Sequence, residues 1–177
     1  MARLLLVPPR GSKRQASRQR RPACAGRAPG RGSAAMSDLY AAYGSNLWHA
    51  QMRLRCPGAT VAGALALPGW RLAVRRFALV EADPGAACPV GLWRVTGEHL
   101  GSLDRYEGPH TYARRLVALP GGGEAWIYLE LVHRPGPPAA EYVDRLRRGY
   151  ADFGFDPAPL DAALARAGRP LADGRMA

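Results

Sequence analysis

Glu107 is the residue of this sequence whose placement best suits acid–base chemistry. It lies at the C-terminal end of a predicted helix, residues 96–107, which Thr96 caps and the Gly108-Pro109 pair ends. A carboxylate at that end faces the negative pole of the helix dipole, which raises its pKa and destabilises its charged form. Leu103, one turn earlier, marks the buried face of the helix. A carboxyl group with a raised pKa suits a general acid or base, whereas the ordinary alternative is an exposed glutamate at a helix end.

The polar turn formed by Gly44, Ser45 and Asn46 is a candidate anion site. It follows an uncharged segment of small and aromatic residues, 39–43, and precedes residues 47–55, which have helical spacing. The backbone N–H groups of a turn that opens a helix point outward and bind anions. An ordinary tight turn, in which Gly44 supplies the backbone conformation and Ser45 or Asn46 caps the helix, fits the spacing equally well.

Two tyrosines belong to the predicted strand that leads into this turn. Tyr40 and Tyr43 are three residues apart, and successive side chains of a strand point to opposite faces. We therefore expect the two rings on opposite faces, with at most one of them beside the N–H groups of the turn.

The remaining reactive residue types lack a catalytic or metal-binding spacing. None of the four histidines pairs with a plausible nucleophile, and Ser45 has no G-x-S-x-G frame, which argues against a serine hydrolase. The three cysteines, an odd number without close pairing, argue against a disulfide framework and against a zinc site, and favour a reducing compartment. The sequence also has no glycine-rich nucleotide loop and no lysine of the phosphate-loop kind.

The positive charge of the chain is concentrated at its N-terminus. Residues 1–35 contain nine Lys or Arg and no Asp or Glu, so they carry +9 of the formal +11 and leave +2 for the rest. We predict a disordered basic leader or tail over 1–35 and one domain over 36–177. The basic segment is a nucleic-acid arm, a transit peptide or a translated leader before Met36, and we favour the leader. No segment reaches the roughly 18 apolar residues of a membrane span, so we expect a cytoplasmic protein.

The apolar patterns and the breakers predict an α+β fold. Predicted strands cover 39–43, 60–67, 70–80, 90–95, 112–119 and 124–132, and predicted helices cover 47–55, 96–107, 139–153 and 156–168. Pro68-Gly69 predicts a tight turn, residues 81–89 a loop around Asp83-Pro84-Gly85, and residues 120–123 a hairpin turn. Because several connections are hairpins, we expect a small mixed, largely antiparallel β-barrel with flanking helices.

Three segments together resemble the γ-glutamylcyclotransferase family. LYAAYGSNL at 39–47 is similar to the family's substrate-binding strand and turn, and LDRYEG at 103–108 to the segment that carries its catalytic glutamate. PPAAEY at 137–142 resembles the element whose tyrosine contacts the substrate. The three occur in the family's order, and the resemblance covers residues 38 to about 165.

The resemblance implies a reaction in which the α-amine of a small γ-glutamyl substrate attacks its own γ-carbonyl, releasing 5-oxoproline and a free amine. It implies no cofactor and no metal, and we expect no nucleic-acid or membrane partner. Glu107 would carry the protons. The substrate-binding residues would be Tyr40, Ala41, Ala42, Tyr43, Gly44, Ser45, Asn46 and Tyr142.

One segment points to a related branch of the family. Tyr112-Ala113-Arg114 resembles the γ-glutamylamine cyclotransferases, whereas the Gly44-Ser45-Asn46 turn resembles the first branch. A γ-glutamylamine or biosynthetic deprotecting cyclotransferase is therefore an alternative. A non-catalytic γ-glutamyl-binding module and a protein whose basic arm contacts nucleic acid are two others. Arg114 would bind a carboxylate or pair with an acid as ordinary structure, and we favour the second role.

Overall fold

The computed structural model describes residues 37–108, 110–132 and 134–167. These residues form a single sheet with flanking helices. In chain order the elements are β1 (Asp38–Ala42), a 3₁₀ turn (Ser45–Leu47), α1 (His49–Arg55), β2 (Thr60–Val74), β3 (Ala78–Val95), α2 (Gly97–Glu107), β4 (Tyr112–Ala118), β5 (Glu124–Glu130), α3 (Ala140–Phe153) and α4 (Ala158–Arg166). The predicted leader or tail over 1–35 lies outside the described residues and stays a prediction.

The sheet has five strands in the order β2-β3-β1-β5-β4. All neighbours pair antiparallel except β1 and β5, which are parallel and register at Tyr40 and Trp126. The predicted α+β class and the largely antiparallel sheet are thus confirmed. Within the described residues β2 and β4 end the sheet without closing on each other, so "barrel" describes it only loosely.

The predicted turn at Pro68-Gly69 is wrong, because β2 continues through it. Pro68 still registers with Ala87 of β3, and the ladder shifts before Trp70. Gly69 has φ +80 at this shift, which identifies a bulge that glycine accommodates without strain. Proline costs little here because β2 is an edge strand with one hydrogen-bonded neighbour. The hairpin instead turns at residues 75–77, where the Arg75 N–H donates to the Phe77 carbonyl at 3.0 Å.

The predicted loop over residues 81–89 is also wrong, since these residues belong to β3. Asp83-Pro84-Gly85 lies in the register gap opposite the β2 bulge, between the pairs formed by Ala82 and Ala87. The turn chemistry does form locally, because the Gly85 N–H donates to Asp83 Oδ1 at 3.1 Å. This irregularity lies inside a long hairpin and ends neither strand. The predicted strand at 70–80 is therefore also wrong, because these residues comprise the end of β2, the hairpin turn at 75–77 and the start of β3. The predicted strand at 90–95 is the C-terminal part of β3.

The hydrophobic core lies between the sheet and the helices, and it holds the turn after β1 from several sides. Leu47 of the turn, Met52 of α1 and Leu146 of α3 are completely buried. Helix α3 approaches so closely that a Cβ on Gly149 would lie 2.5 Å from Leu47 Cβ and 2.8 Å from the backbone nitrogen of Trp48. The turn is therefore packed tightly against α3. None of the helices in the described part of the chain is long and apolar enough to cross a membrane.

Candidate active site

The turn after β1 is a short 3₁₀ segment, separate from the helix that follows. The Leu47 N–H donates to the Gly44 carbonyl at 2.9 Å and the Trp48 N–H to the Ser45 carbonyl at 3.1 Å. Helix α1 begins only at His49, with Trp48 as its N-cap and no side-chain cap. The alternative interpretation, in which Ser45 or Asn46 caps the helix, is therefore wrong. Both side chains are engaged elsewhere in the site.

A small cavity of about 40 Å³, which we call the inner cavity, opens beside this turn. Its lining residues are Tyr40, Tyr43, Gly44, Ser45, Asn46, Ala78, Glu107, Tyr112, Tyr128 and Tyr142. The structure thus brings the predicted catalytic glutamate, the turn and the predicted tyrosines to one place. Ala41 and Ala42 do not line the cavity, because both are completely buried within β1.

Tyr40 and Tyr43 both line the inner cavity, so the prediction that they face opposite sides is wrong. Strand β1 ends at Ala42, and Tyr43 is therefore free of the alternation that a strand imposes. The Tyr43 hydroxyl donates to the Tyr128 carbonyl of β5 at 2.5 Å, which ties the chain to the sheet directly before the turn.

Glu107, the last residue of α2, also lines the inner cavity. The Thr96 hydroxyl accepts from the His99 N–H at the start of α2, and Gly108, at φ +75, ends the helix as predicted. The Glu107 side chain is 19% exposed. Burial raises the pKa of its carboxyl group, while Arg55 and the hydrogen bond from Asn46 lower it. The direction of the pKa shift is as predicted, and burial is its largest cause.

The Asn46 side chain joins the turn to Glu107 and uses its full hydrogen-bonding capacity. Its Nδ2 donates to the Tyr40 hydroxyl at 2.9 Å and to Glu107 Oε1 at 3.0 Å. Its Oδ1 accepts from Gln51 Nε2 at 3.1 Å and from Arg55 Nη1 at 2.8 Å. Because all four bonds are made inside a buried site, the amide is held in one orientation and fixes the position of the carboxylate.

Gln51 and Arg55 complete this network and were not predicted as site residues. Gln51 Nε2 also donates to Ser45 Oγ at 2.8 Å, and Arg55 Nη1 lies 3.8 Å from Glu107 Oε1. The two residues are four apart on α1, so they share one face of the helix. That spacing is the signal in the sequence that could have identified them.

The tyrosine hydroxyls of the inner cavity remain protonated and act as hydrogen-bonding groups. Burial raises the pKa of Tyr142 to about 12 and raises those of Tyr40, Tyr43 and Tyr112 as well. The Tyr142 hydroxyl accepts from the Ala78 N–H at 3.0 Å and lies close to the turn. Glu107 is therefore the one group, among the described residues that line this cavity, suited to accept a proton near neutral pH.

Arg114 has the structural role that we favoured. Its Nη1 lies 3.1 Å from Asp104 Oδ2, and its guanidinium stacks 4.9 Å from the centre of the Trp126 ring. Asp104 Oδ1 in turn accepts from the Tyr128 hydroxyl at 2.6 Å. Arg114 is not among the residues that line the inner cavity. It therefore supports the site indirectly, because it pairs with Asp104, which in turn accepts from Tyr128.

A second cavity of about 190 Å³, which we call the outer cavity, adjoins the first. It shares Ser45, Glu107, Tyr112 and Tyr142 with the inner cavity, and its other lining residues are Arg55, Phe77, Tyr106, Thr111, Arg134 and Arg145. Glu107 thus stands where the two spaces meet. No cluster of three or more His, Cys, Asp or Glu suited to a metal ion occurs in residues 37–108, 110–132 and 134–167.

The chain is similar to several solved structures. One is called "Gamma-glutamyl cyclotransferase" and is 25% identical, with a TM-score of 0.62 over 73% of this chain and 88% of that one. An uncharacterized protein from Homo sapiens is 26% identical, with a TM-score of 0.61 over 73% and 87%. YkqA from Bacillus subtilis, at 21% identity and a TM-score of 0.61 over 73% and 54%, shows the same fold.

A comparison at the level of families agrees with the residues that the cavity brings together. None of the curated proteins matches the chain. The family model described as gamma-glutamyl cyclotransferase, AIG2-like, matches residues 40–144. That range contains the turn, Glu107 and Tyr142. The chain therefore belongs to the gamma-glutamyl cyclotransferase, AIG2-like family.

Proposed function

We propose that the protein is a cyclotransferase that cleaves a γ-glutamyl amide and releases 5-oxoproline and a free amine. The observation that carries this proposal is Glu107, a carboxyl group of raised pKa held by Asn46 between the inner and outer cavities. The described residues that line the inner cavity include no Cys, His or Lys. A reaction whose nucleophile is the substrate's own α-amine does not require one.

The proton transfers of this reaction match what one buried carboxylate can do. A bond forms between the α-nitrogen and the γ-carbon, and the bond between the γ-carbon and the leaving nitrogen breaks. Glu107 accepts the proton that the α-ammonium group loses and returns it to the leaving nitrogen. An α-amine has a pKa of about 8, so raising the pKa of the carboxyl group brings the two values closer and makes the transfer less unfavourable.

The remaining work of catalysis is positioning. The glutamyl chain must fold until its amine meets its γ-carbonyl, and holding this geometry supplies most of what an intramolecular reaction needs. We assign the glutamyl part to the inner cavity, where the N–H groups of Gly44, Ser45 and Asn46 would bind its charged or developing oxygen. Tyr142 would contribute a hydroxyl contact. The leaving amine would extend into the outer cavity.

A direct assay tests the proposal. Purified protein is incubated with a panel of γ-glutamyl amino acids and γ-glutamyl amines, and 5-oxoproline is measured. We expect Glu107→Gln to lower turnover at least about 100-fold, because the amide cannot relay the proton, and to leave substrate binding largely intact. Glu98→Gln is the matched control, since Glu98 is an exposed acid in the first turn of the same helix.

Two outcomes would contradict the proposal. Turnover of Glu107→Gln at the wild-type rate would remove the glutamate from the mechanism. Binding of γ-glutamyl compounds by the wild-type protein without any formation of 5-oxoproline would instead identify a non-catalytic binding module.

A further inference from the structure

The outer cavity carries more positive charge than the proposed proton transfers require. Three of its lining residues are arginines, Arg55, Arg134 and Arg145, and Glu107 is the one acid among its described lining residues. A cavity of this composition attracts anions and repels cations. The charge lies on the side of Glu107 to which the leaving amine is assigned.

The three guanidinium groups differ in how far the protein already satisfies them. Arg55 bonds to Asn46 and lies beside Glu107. Arg145 pairs with Glu141 one helical turn away on α3 and donates to Gln51 Oε1 at 3.3 Å. Arg134 donates to the neutral Thr111 hydroxyl at 2.8 Å, and among the described residues no carboxylate pairs with it. Within the described part of the chain, Arg134 is therefore the arginine of this cavity whose charge is least compensated.

We propose that this site selects substrates whose leaving amine carries a carboxylate, and that Arg134 is the residue that determines this specificity. The inference rests on the proposed function. With the scissile nitrogen at Glu107, the leaving group lies in the outer cavity, where Thr111 and Arg134 form part of the wall. A guanidinium binds a carboxylate through charge-assisted hydrogen bonds. The substrate class is thus γ-glutamyl amino acids or peptides, and cationic γ-glutamyl amines are disfavoured.

Three substrates that differ in the charge of the leaving group test this inference on the full chain. They are γ-glutamyl-alanine, γ-glutamyl-alaninamide and the γ-glutamyl amide of diaminoethane, whose leaving groups bring a negative, a neutral and a positive charge. We expect kcat/KM to fall in that order, with about a fivefold step from the acid to the neutral amide. Arg134 is exposed, and a larger effect is not expected of an exposed ion pair.

Variants of Arg134 assign the preference to this residue. Arg134→Gln should bring the ratio of kcat/KM between acid and amide close to one, mainly through a higher KM for the acid. Arg134→Lys, which keeps the charge, should retain at least about half of the preference. Arg94→Gln is the control, because Arg94 is an exposed arginine of β3 that lines neither cavity. It should leave the ratio unchanged.

Ionic strength provides a measurement that needs no variant. Raising the salt concentration from about 50 to 500 mM should lower the wild-type preference for the acid, because salt screens exposed charges.

Equal kcat/KM for acid and amide, or an unchanged ratio in folded Arg134→Gln, would overturn the inference and leave the proposed function intact. A lysine variant that behaves like the glutamine variant would also overturn it. Failure of all three substrates to yield 5-oxoproline would overturn the proposed function and the inference with it.

Discussion

Glu107 owes its chemical character to two opposed influences that act on a single carboxyl group. Burial disfavours its charge, whereas Asn46 and Arg55 favour it. Neither influence alone yields a useful base near neutral pH, because a fully stabilised carboxylate accepts protons poorly and an unsupported one stays neutral. The contacts of Asn46 set this balance, since its amide bonds to Glu107 and to Arg55 at the same time.

Replacement of Arg55 shifts this balance in a defined direction. Arg55→Gln removes a positive charge that favours the carboxylate, so the pKa of Glu107 rises further above its usual value. If ionised Glu107 is the base, kcat/KM rises with pH through this pKa, and the acidic limb of the profile moves to higher pH. On that limb we expect activity about three- to tenfold below wild type. The measurement is kcat/KM for a γ-glutamyl substrate from about pH 5 to 9.

Arg53→Gln is the matched control for this experiment. Arg53 is an exposed arginine of the same helix, and its loss should leave the profile in place. A profile of Arg55→Gln that moves to lower pH, or that keeps its position while its height falls uniformly, would contradict the electrostatic role assigned to Arg55.

Individual residues of the site were predictable where the local chain determines their placement. Glu107 follows from the cap at Thr96 and the break at Gly108, both of which are local signals. The side on which Tyr43 lies was not predictable, because it depends on β1 ending at Ala42. Strand ends are set by pairing with β3 and β5, and those partners come from distant parts of the chain.

The position of the turn after β1 depends on one close contact, which α3 makes with it. Gly149 faces Leu47 and the backbone of Trp48 at distances that leave no space for a side chain. Glycine fits this position because a side chain would have no space there. Its backbone angles are ordinary, since Gly149 lies inside a regular helix. A single methyl group would therefore displace either the helix or the turn.

We expect Gly149→Ala to lower the free energy of unfolding by about 1–3 kcal/mol, the usual cost of overpacking, although alanine favours helices over glycine. The displacement would also lower kcat/KM, because the turn lines the inner cavity.

Gly101→Ala is the matched control. Gly101 also lies inside a helix, α2, but a Cβ there meets no atom within 4 Å, so we expect about 0.5–1 kcal/mol of stabilisation. Chemical denaturation measures both variants. Equal effects of the two substitutions would refute the packing argument.

Prediction of the elements failed in one region, the long β2–β3 hairpin. Pro68-Gly69 and Asp83-Pro84-Gly85 have the composition of turns, and each coincides with a local irregularity of its strand. They lie opposite each other in the same ladder, so the irregularities accommodate one another and the strands continue. Local composition cannot report such a match, because it depends on the register between two segments.

At the scale of the whole molecule, the order of the strands brings the residues that line the inner cavity together. Strand β1 lies in the middle of the sheet between β3 and β5, so the turn at its end meets residues of α2, β4, β5 and α3. The class of the fold was predictable from alternating patterns and hairpin signals. The parallel pairing of β1 with β5 was not, because the two strands are separated by most of the domain and no short motif encodes it.

The N-terminal segment provides the last prediction, which concerns the chain as a whole. The described residues that line the two cavities lie between Tyr40 and Arg145, whereas most of the net charge belongs to residues 1–35. If the basic segment is a leader, a chain that begins at Met36 keeps the Tm and the kcat/KM of the full chain within about 20%. If it is a nucleic-acid arm, the full chain binds a short DNA duplex at about 50 mM salt, loses affinity steeply by 200 mM, and the shortened chain does not bind. Thermal unfolding, the 5-oxoproline assay and a salt-dependent binding titration of both chains distinguish these cases. A marked loss of Tm or activity on shortening would show that the segment supports the domain and would contradict the leader interpretation.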